Sequence, residues 1–130
     1  MTTSNEKSVP TFFLVGHCVP DSGMLTNAIT RAVPDARVIR ANDDDDLDRA
    51  RLPGSVWLVN RVLDGNFEND DGLALIGRER RSGAPGAPAV VLISNRADAQ
   101  AAAVALGARP GFGKRATFAP ETATLLAALG

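Results

Sequence analysis

Three features are scarce in this sequence of 130 residues: cysteine, long apolar runs, and an excess of charge of either sign. The single cysteine, Cys18, excludes an internal disulfide and is typical of a reducing cytoplasm. No segment approaches the roughly 20 consecutive apolar residues that a membrane span requires. With 14 basic and 15 acidic residues, the sequence has no basic excess of the kind that marks nucleic-acid-binding proteins. We therefore expect a cytoplasmic protein that binds neither membranes nor nucleic acids.

The first ten residues, 1–10, are polar and contain no apolar run, so they do not have the pattern of a secretory signal. We expect them to form a flexible arm before one domain spanning 11–130. Hydrophobic residues make up 45% of the chain, which at this length is enough to build a core.

Short apolar segments alternate along the chain with segments of helical periodicity. Strands are predicted at 11–15, 36–40, 55–60, 89–93 and 111–113. Helices are predicted from 21 or 22 to 33, at 42–51, 72–81 and 97–106, and from 120 onward. Regular alternation of this kind indicates a parallel sheet with right-handed crossovers. We predict a three-layer, doubly wound α/β domain of the flavodoxin-like type, with five parallel strands in the order 2-1-3-4-5.

The functional residues of such folds gather where the strands end. The predicted central strand ends at Asn60. Its side chain is a polar but nearly unreactive amide, so the residue itself argues against covalent chemistry at this position.

Four short motifs lie at corresponding points of this layout. Residues 20–22 (Pro-Asp-Ser) open the first helix and 71–73 (Asp-Gly-Leu) open the third, Ser94 follows the fourth strand, and 107–108 (Gly-Ala) precede Lys114 by six residues. In this order they resemble the receiver domains of bacterial two-component response regulators, the CheY-like family, over nearly the whole chain. The resemblance implies the same doubly wound fold and a role in phosphorelay signal transduction.

In that family an aspartate at the end of the third strand accepts a phosphoryl group. A hydroxyl on the fourth strand and a lysine on the fifth bind the phosphoryl oxygens. By this resemblance Ser94 and Lys114 are retained pocket positions, whereas Asn60 stands where the phosphoacceptor would be. An amide nitrogen is delocalised into its carbonyl, so Asn60 cannot form an acyl phosphate as a carboxylate does.

The family also carries an acidic pair after the first strand that helps to hold a magnesium ion. Here this pair falls on Gly16-His17 or on His17-Cys18. Magnesium requires hard oxygen ligands, while glycine has no side chain and imidazole and thiol are softer ligands. We therefore expect no metal and no cofactor.

These departures predict a degenerate pseudo-receiver that is not an enzyme. We expect it to act without phosphorylation, through contact with a signalling kinase or an output protein, or through self-association by its last helices and fifth strand. Two alternatives remain open. One is a flavodoxin-like domain that binds a small anion near Asn60, Ser94 and Lys114. The other is residual phosphotransfer through a displaced carboxylate, Asp64 or Asp71.

Several residues have a simpler structural interpretation, which we favour. Lys114 is expected to bond to Asn60 or to nearby carbonyls, and Ser94 to cap the following helix. Adjacent His17 and Cys18 do not suit one metal or catalytic site, because successive side chains point to opposite faces of a strand. Trp57 is expected in the core.

Three further features concern the loops and the fifth strand. The acidic run 43–46 lacks the spacing of a calcium loop and is expected to open a helix. The connection after Asn60, about 61–71, is longer than the family pattern and is expected to cover part of the pocket. Strict alignment with the family puts Gly111 at its switch aromatic, with Phe112 one position late.

Overall fold

The computed structural model describes residues 9–82 and 87–130, in which strands and helices alternate. The strands are β1 Thr11–Val15, β2 Arg37–Ala41, β3 Val56–Asn60, β4 Ala89–Ile93 and β5 Arg109–Phe112. The helices are α1 Val19–Ala32, α2 Asp44–Arg49, α3 Gly72–Ser82, α4 Ala97–Ala105 and α5 Pro120–Leu129, with a 3₁₀ turn at Lys114–Ala116. The predicted arm 1–10 and the predicted loop 83–88 fall largely outside the described residues.

The five strands form one parallel sheet in the order β2-β1-β3-β4-β5, which confirms the predicted architecture. Alternate side chains of each strand supply two separate core layers. The layer under α2, α3 and α4 contains Trp57, which is fully buried and donates its indole N–H to the carbonyl oxygen of Ala50 at 3.0 Å. The layer under α1 and α5 includes Phe12 and Leu126. The core position predicted for Trp57 is confirmed.

The first helix begins earlier than predicted. Cys18 is its extended N-cap residue, and the helix starts at Val19 with Pro20 in its first turn. Proline suits this position because it has no N–H to satisfy there and its φ is already helical. The predicted cap Asp21 therefore lies inside the first turn and is free to interact across the sheet edge.

The fifth strand is also displaced from its predicted range, because it carries a bulge. Val91 pairs with Arg109, while Ile93 pairs with Phe112, so β5 contains one residue more than the facing segment of β4. Gly111 lies in this irregular stretch, where a Cβ atom would sit 2.1 Å from the Leu92 oxygen. The extra residue in the bulge explains why Phe112 follows, by one position, the place that the family alignment gives to its switch aromatic. It also leaves Lys114 in the 3₁₀ turn beyond the strand.

The side chain of Gln100, on α4, bridges the two strands at this bulge. Its amide nitrogen, which carries two hydrogens, lies within hydrogen-bond distance of three backbone carbonyl oxygens, those of Leu92 (2.9 Å), Ser94 (3.1 Å) and Phe112 (3.2 Å). Its amide oxygen accepts the N–H of Gly111 at 3.3 Å. These bonds tie α4 to the stretch of β4 and β5 where the strand ladder is interrupted, and the Phe112 oxygen also accepts the backbone N–H of Ser94.

The acidic run opens α2, as predicted. Asp43 is the N-cap and accepts the N–H of Asp46 at 2.7 Å, while Asp46 accepts the N–H of Asn42 at 2.9 Å. This reciprocal pair satisfies two backbone donors that a helix start would leave unpaired. Each helix in the described parts of the chain is too short or too polar to cross a membrane.

Candidate functional site

The carboxyl ends of the parallel strands meet at one edge of the sheet and border a cleft of about 290 Å³. Residues from β3, from β4 and the turn after it, and from the 3₁₀ turn line this cleft: Asn60, Arg61, Val62, Ile93, Ser94, Asn95, Arg96 and Lys114. The structure therefore brings Asn60, Ser94 and Lys114 together. It does not place Gly16, His17 or Cys18 in the lining.

Asn60 is held by the end of β1. Its side-chain amide donates to the carbonyl oxygen of Gly16 at 2.9 Å. The backbone N–H of Asp64 donates to the same oxygen, also at 2.9 Å. The amide therefore acts as a donor that ties two strand ends together, a bond that an ionised carboxylate could not make.

The loop between β3 and α3 covers the end of β1. Leu63 is buried, and a Cβ atom on Gly16 would lie 2.7 Å from its side chain and 2.9 Å from its Cα. Gly16 also has a φ of +74°, which L-residues with side chains rarely adopt. The loop thus covers the first-strand side of the pocket, in agreement with the expectation from its length, and leaves no room for a side chain at position 16.

Lys114 does not bond as expected. Its ammonium group lies 2.7 Å from a carboxylate oxygen of Asp21, and this ion pair replaces the predicted bond to Asn60 or to neutral carbonyls. The hydrogen bond from Lys114 is the main cause of a lowered pKa at Asp21. The prediction was wrong because it placed Asp21 at the helix cap, whereas α1 begins at Val19 and turns this carboxylate toward the sheet edge.

His17 is fully buried beside the cleft and serves the fold. Its ring nitrogen Nε2 contacts the carbonyl oxygen of Leu58 at 2.9 Å, and its Nδ1 has no hydrogen-bond partner among the described residues. Burial lowers the pKa of His17 from 6.5 to about 4, against the opposing effect of the bond to Leu58. The ring is therefore neutral at neutral pH.

Cys18 takes a backbone role as the N-cap residue of α1, and its side chain is half-buried. In the described residues, no three His, Cys, Asp or Glu side chains come close enough to hold a metal ion. His17 and Cys18 therefore do not form part of a metal-binding cluster within that part of the chain.

Ser94 does not cap α4, contrary to the prediction. Its backbone N–H donates to the oxygen of Phe112 at 3.0 Å, so the residue continues the β4–β5 ladder. Arg96 takes the cap position, and the hydroxyl of Ser94 accepts its N–H at 3.2 Å. The hydroxyl thus stabilises the turn between strand and helix.

The mouth of the cleft carries positive charge. Three of its lining side chains, Arg61, Arg96 and Lys114, are cationic, and among the described residues none that lines the cleft is acidic. Two of the three have partners: Arg96 makes a two-pronged bond to Asp98 at 2.8 and 3.1 Å, and Lys114 pairs with Asp21.

The displaced carboxylates of the β3–α3 loop are not lining residues of this cleft. Asp64 is exposed and uses its backbone N–H to bind Gly16. Asp71 accepts the N–H of Leu73 at 3.0 Å and so stabilises the start of α3. Only glycine fits at the next position, Gly72, because a Cβ atom there would lie 2.0 Å from the backbone carbonyl oxygen of Asn60.

Sequence reasoning missed three contributors to the site: Asp21, Leu63 and Arg40. The guanidinium of Arg40 donates to the carbonyl oxygen of His17 at 3.1 Å, which holds the end of β1 against β2. One signal for Asp21 was present, because a proline just before it favours a helix that has already begun. No local signal identifies the other two, which come from a loop and from a neighbouring strand.

Solved structures of other proteins share the fold of this chain. No protein-family model and no curated protein matches the chain. Among solved structures, the chain is similar to the signal receiver domain of a DNA-binding response regulator (merR) from Colwellia psychrerythraea 34H, with a TM-score of 0.65 and 21% identity over 91% of this chain and 95% of the other. It is also similar to a response regulator from Thermotoga maritima, with a TM-score of 0.63 and 19% identity over 93% and 99% of the two chains. It is similar as well to the non-phosphorylated receiver domain of the stress response regulator RcsB from Escherichia coli, with a TM-score of 0.61 and 14% identity over 94% of this chain and 93% of the other. The chain thus has the CheY-like receiver fold.

Proposed function

We propose that this chain is a receiver-type signalling domain that acts by contact with another protein in the cytoplasm, without phosphorylation at the end of its third strand. The observation that carries the proposal is the amide at that position. Asn60 is a poor nucleophile, and its side-chain amide donates a hydrogen bond to the carbonyl oxygen of Gly16.

The end of β1 supports the same proposal. A magnesium ion in such a pocket needs carboxylate or carbonyl oxygens. Gly16 has no side chain and is packed against Leu63, His17 is buried and bonded to Leu58, and Cys18 is a helix cap. None of these side chains supplies an oxygen ligand.

The bonds of Ser94 and Lys114 bear on switching. In the family that the chain resembles, these two groups move onto the phosphoryl oxygens, and the charge shifts an existing equilibrium. Here the Lys114 ammonium is neutralised by Asp21, and the Ser94 hydroxyl accepts the N–H of Arg96. Lys114 already has a charged partner, and the bond from Arg96 fixes the Ser94 hydroxyl in the turn, so we infer that one conformation dominates and that output depends on the partner's concentration.

The face expected to meet a partner or a second copy includes the last helices and β5. It carries exposed apolar side chains on either side of that strand: Val104 and Leu106 at the end of α4, and Phe118 before α5. The guanidinium of Arg31 lies over the ring of Phe118, 5.1 Å from its centroid. This cation–π contact favours one position of the exposed ring.

The test is incubation with acetyl phosphate and Mg²⁺, followed by intact-mass measurement. We expect no adduct on the wild-type chain. Asn60→Asp should also remain largely unmodified, because the substitution restores the nucleophile without restoring magnesium ligands. It would also place a carboxylate against the Gly16 oxygen. Rapid, magnesium-dependent phosphorylation of Asn60→Asp would overturn this account of the first-strand end.

Asp64→Asn is the matched control for residual phosphotransfer through the loop. An adduct that forms on the wild type and disappears in Asp64→Asn would replace the proposal with the displaced-carboxylate alternative. The same readout therefore separates the two.

One observation favours a second function, the binding of a small anion. Within residues 9–82 and 87–130, the cleft is lined by three cationic side chains and no acidic one. Against it, Lys114 and Arg96 are already paired. Calorimetric titration with inorganic phosphate decides between them: the protein-contact proposal expects no saturable heat, while an anion site requires saturable binding that Lys114→Met weakens.

A further inference from the structure

The outer edge of β2 is a free hydrogen-bonding edge in the described part of the chain, where the sheet ends at this strand. The N–H of Arg37 donates to Pro10 at 2.8 Å, and the oxygen of Ala41 accepts from Gly16 at 3.1 Å, so alternate residues of β2 face inward. In a strand the intervening residues face the other way. Val38 and Arg40 therefore direct their backbone N–H and C=O groups outward.

An apolar groove of about 250 Å³ runs beside this edge on the α2 side of the sheet. Its apolar part consists of Phe13, Ile39 and Leu52. Ile39 and Leu52 remain 38% and 49% exposed, because α2 has only six residues and does not reach over them. The end of the sheet thus combines unpaired backbone groups with uncovered apolar side chains.

The groove has a positive rim. Arg37, Arg40 and Arg49 surround it, and in the part of the chain that the structure describes the only acidic lining residue is Asp46. That carboxylate is already engaged, since it accepts from Arg49 at 2.7 Å and from the backbone N–H of Asn42 at 2.9 Å. Because this pair neutralises Arg49, on which Asp43 and Asp45 of α2 also act, the positive charge that a partner would meet lies on Arg37 and Arg40 at the β2 edge.

We propose that β2 and this groove receive an extended acidic segment of a partner protein as a sixth strand. The segment carries one large apolar side chain that enters the groove over Ile39, with carboxylates on either side that meet the arginines. Backbone bonds to Val38 and Arg40 supply affinity, and the groove supplies specificity, as in other additions of a strand to a sheet edge.

A second copy of the chain does not fit this edge as well. Antiparallel pairing of β2 with itself, centred on Arg37 or on Arg40, would set two like charges directly opposite each other, and facing like charges destabilise a strand pair. Arginines on an edge strand are a common defence against such self-pairing. Charge complementarity thus selects an acidic partner.

The inference rests on the proposed function, in that contact with a protein is the output of the domain. The two fail separately. Phosphorylation of the wild-type chain would overturn the proposed function and leave the groove intact, whereas loss of peptide binding at β2 would leave the phosphodonor result unchanged.

The experiment titrates the ¹⁵N-labelled full chain with a short, end-capped peptide that has one central isoleucine between glutamates. A matched peptide with lysines in place of the glutamates is the charge control. We expect backbone shifts confined to β2, the C-terminal end of α2 and Leu52, with binding that weakens as the salt concentration rises. The lysine peptide should cause no saturable shift.

Two pairs of variants test the assignment. Arg37→Glu and Ile39→Glu should each weaken binding by about tenfold, through charge reversal and loss of the apolar contact. Their controls, Arg78→Glu on α3 and Val19→Glu at the start of α1, also change exposed side chains and should bind within about twofold of the wild type. Circular dichroism checks the fold of each variant, and Arg37→Glu, which changes an exposed side chain, keeps the test valid if Ile39→Glu is unstable.

Four results would each overturn the proposal. The first is the absence of any shift at a peptide concentration of about 1 mM, which is high enough to detect weak binding. The second is equal binding of the lysine peptide, and the third is a set of shifts centred away from β2. The fourth is a wild-type dimer that Ile39→Glu converts to a monomer. The last result would assign the edge to a second copy.

Discussion

We predict that the free energy of unfolding falls at acidic pH because of a single buried residue, His17. His17 is the only histidine in the chain and is 1% exposed. Because the Leu58 oxygen can only accept, the neutral ring carries its proton on Nε2, and Nδ1 holds a buried lone pair without a partner. Protonation of Nδ1 would create a buried charge and a donor that no described group accepts.

The size of the effect follows from the two pKa values. The pKa of His17 is about 4 in the folded chain, against 6.5 as the ordinary value for an unfolded chain. Between these values the unfolded chain binds a proton that the folded chain does not, so the free energy of unfolding falls as the pH is lowered from about 6.5 toward 4. The full difference corresponds to about 3 kcal/mol, and about 2 kcal/mol of it is lost by pH ~5.

Urea unfolding at pH ~7.5 and ~5, followed by the fluorescence of the single, buried Trp57, measures this loss directly. His17→Gln is the control, because its amide can still donate to Leu58 but cannot titrate. The pH dependence, and not the absolute stability, is compared between the two. Carboxylates with lowered pKa values, such as Asp21, titrate below 3.8 and contribute little at pH ~5.

The wild type should lose about 2 kcal/mol between these pH values, and His17→Gln should lose much less. A pH dependence that is the same in both proteins would refute the reasoning. So would a pKa of about 6 or higher for His17 in the folded chain, measured by NMR.

Two substitutions test the architecture around the cleft. Gly111→Ala should lower the free energy of unfolding by at least about 2 kcal/mol, because its Cβ would meet the Leu92 oxygen at 2.1 Å. Gly23→Ala, in α1 with open space around it, is the matched control and should be neutral or stabilising by up to about 1 kcal/mol in the same denaturation assay; equal losses would contradict the bulge geometry. Asp21→Asn should cost less than about 1 kcal/mol, since the pair with Lys114 is partly exposed, and should weaken the salt dependence of stability. A loss of several kcal/mol in Asp21→Asn would instead indicate a pair essential to the fold.

The sheet was predictable because its signals are local. The apolar segment at 89–93 matches β4 residue for residue, and Gly107, just after α4, adopts a φ of +108° as expected of a residue after a helix end. Helix starts were less predictable. The backbone decides whether a proline lies before or inside the first turn, and that difference moved Asp21 from a cap to an ion pair.

The candidate site was predictable only as a set of strand ends. Asn60, Ser94 and Lys114 line one cleft because parallel strands end at the same edge. Their bonding partners were not predictable, because each comes from a distant segment: Gly16 for Asn60, Phe112 for the backbone of Ser94, and Asp21 for Lys114.

The doubly wound fold and the lack of a carboxylate at the end of the third strand were both predictable from the chain alone. Both follow from the order and identity of residues along the chain. Tertiary structure alone decided that Leu63 covers Gly16, that His17 is buried as a neutral ring, and that a short α2 leaves Ile39 uncovered at the sheet edge. The physical reason is that burial, desolvation and close contact depend on segments far apart in sequence, and no local pattern encodes where those segments meet.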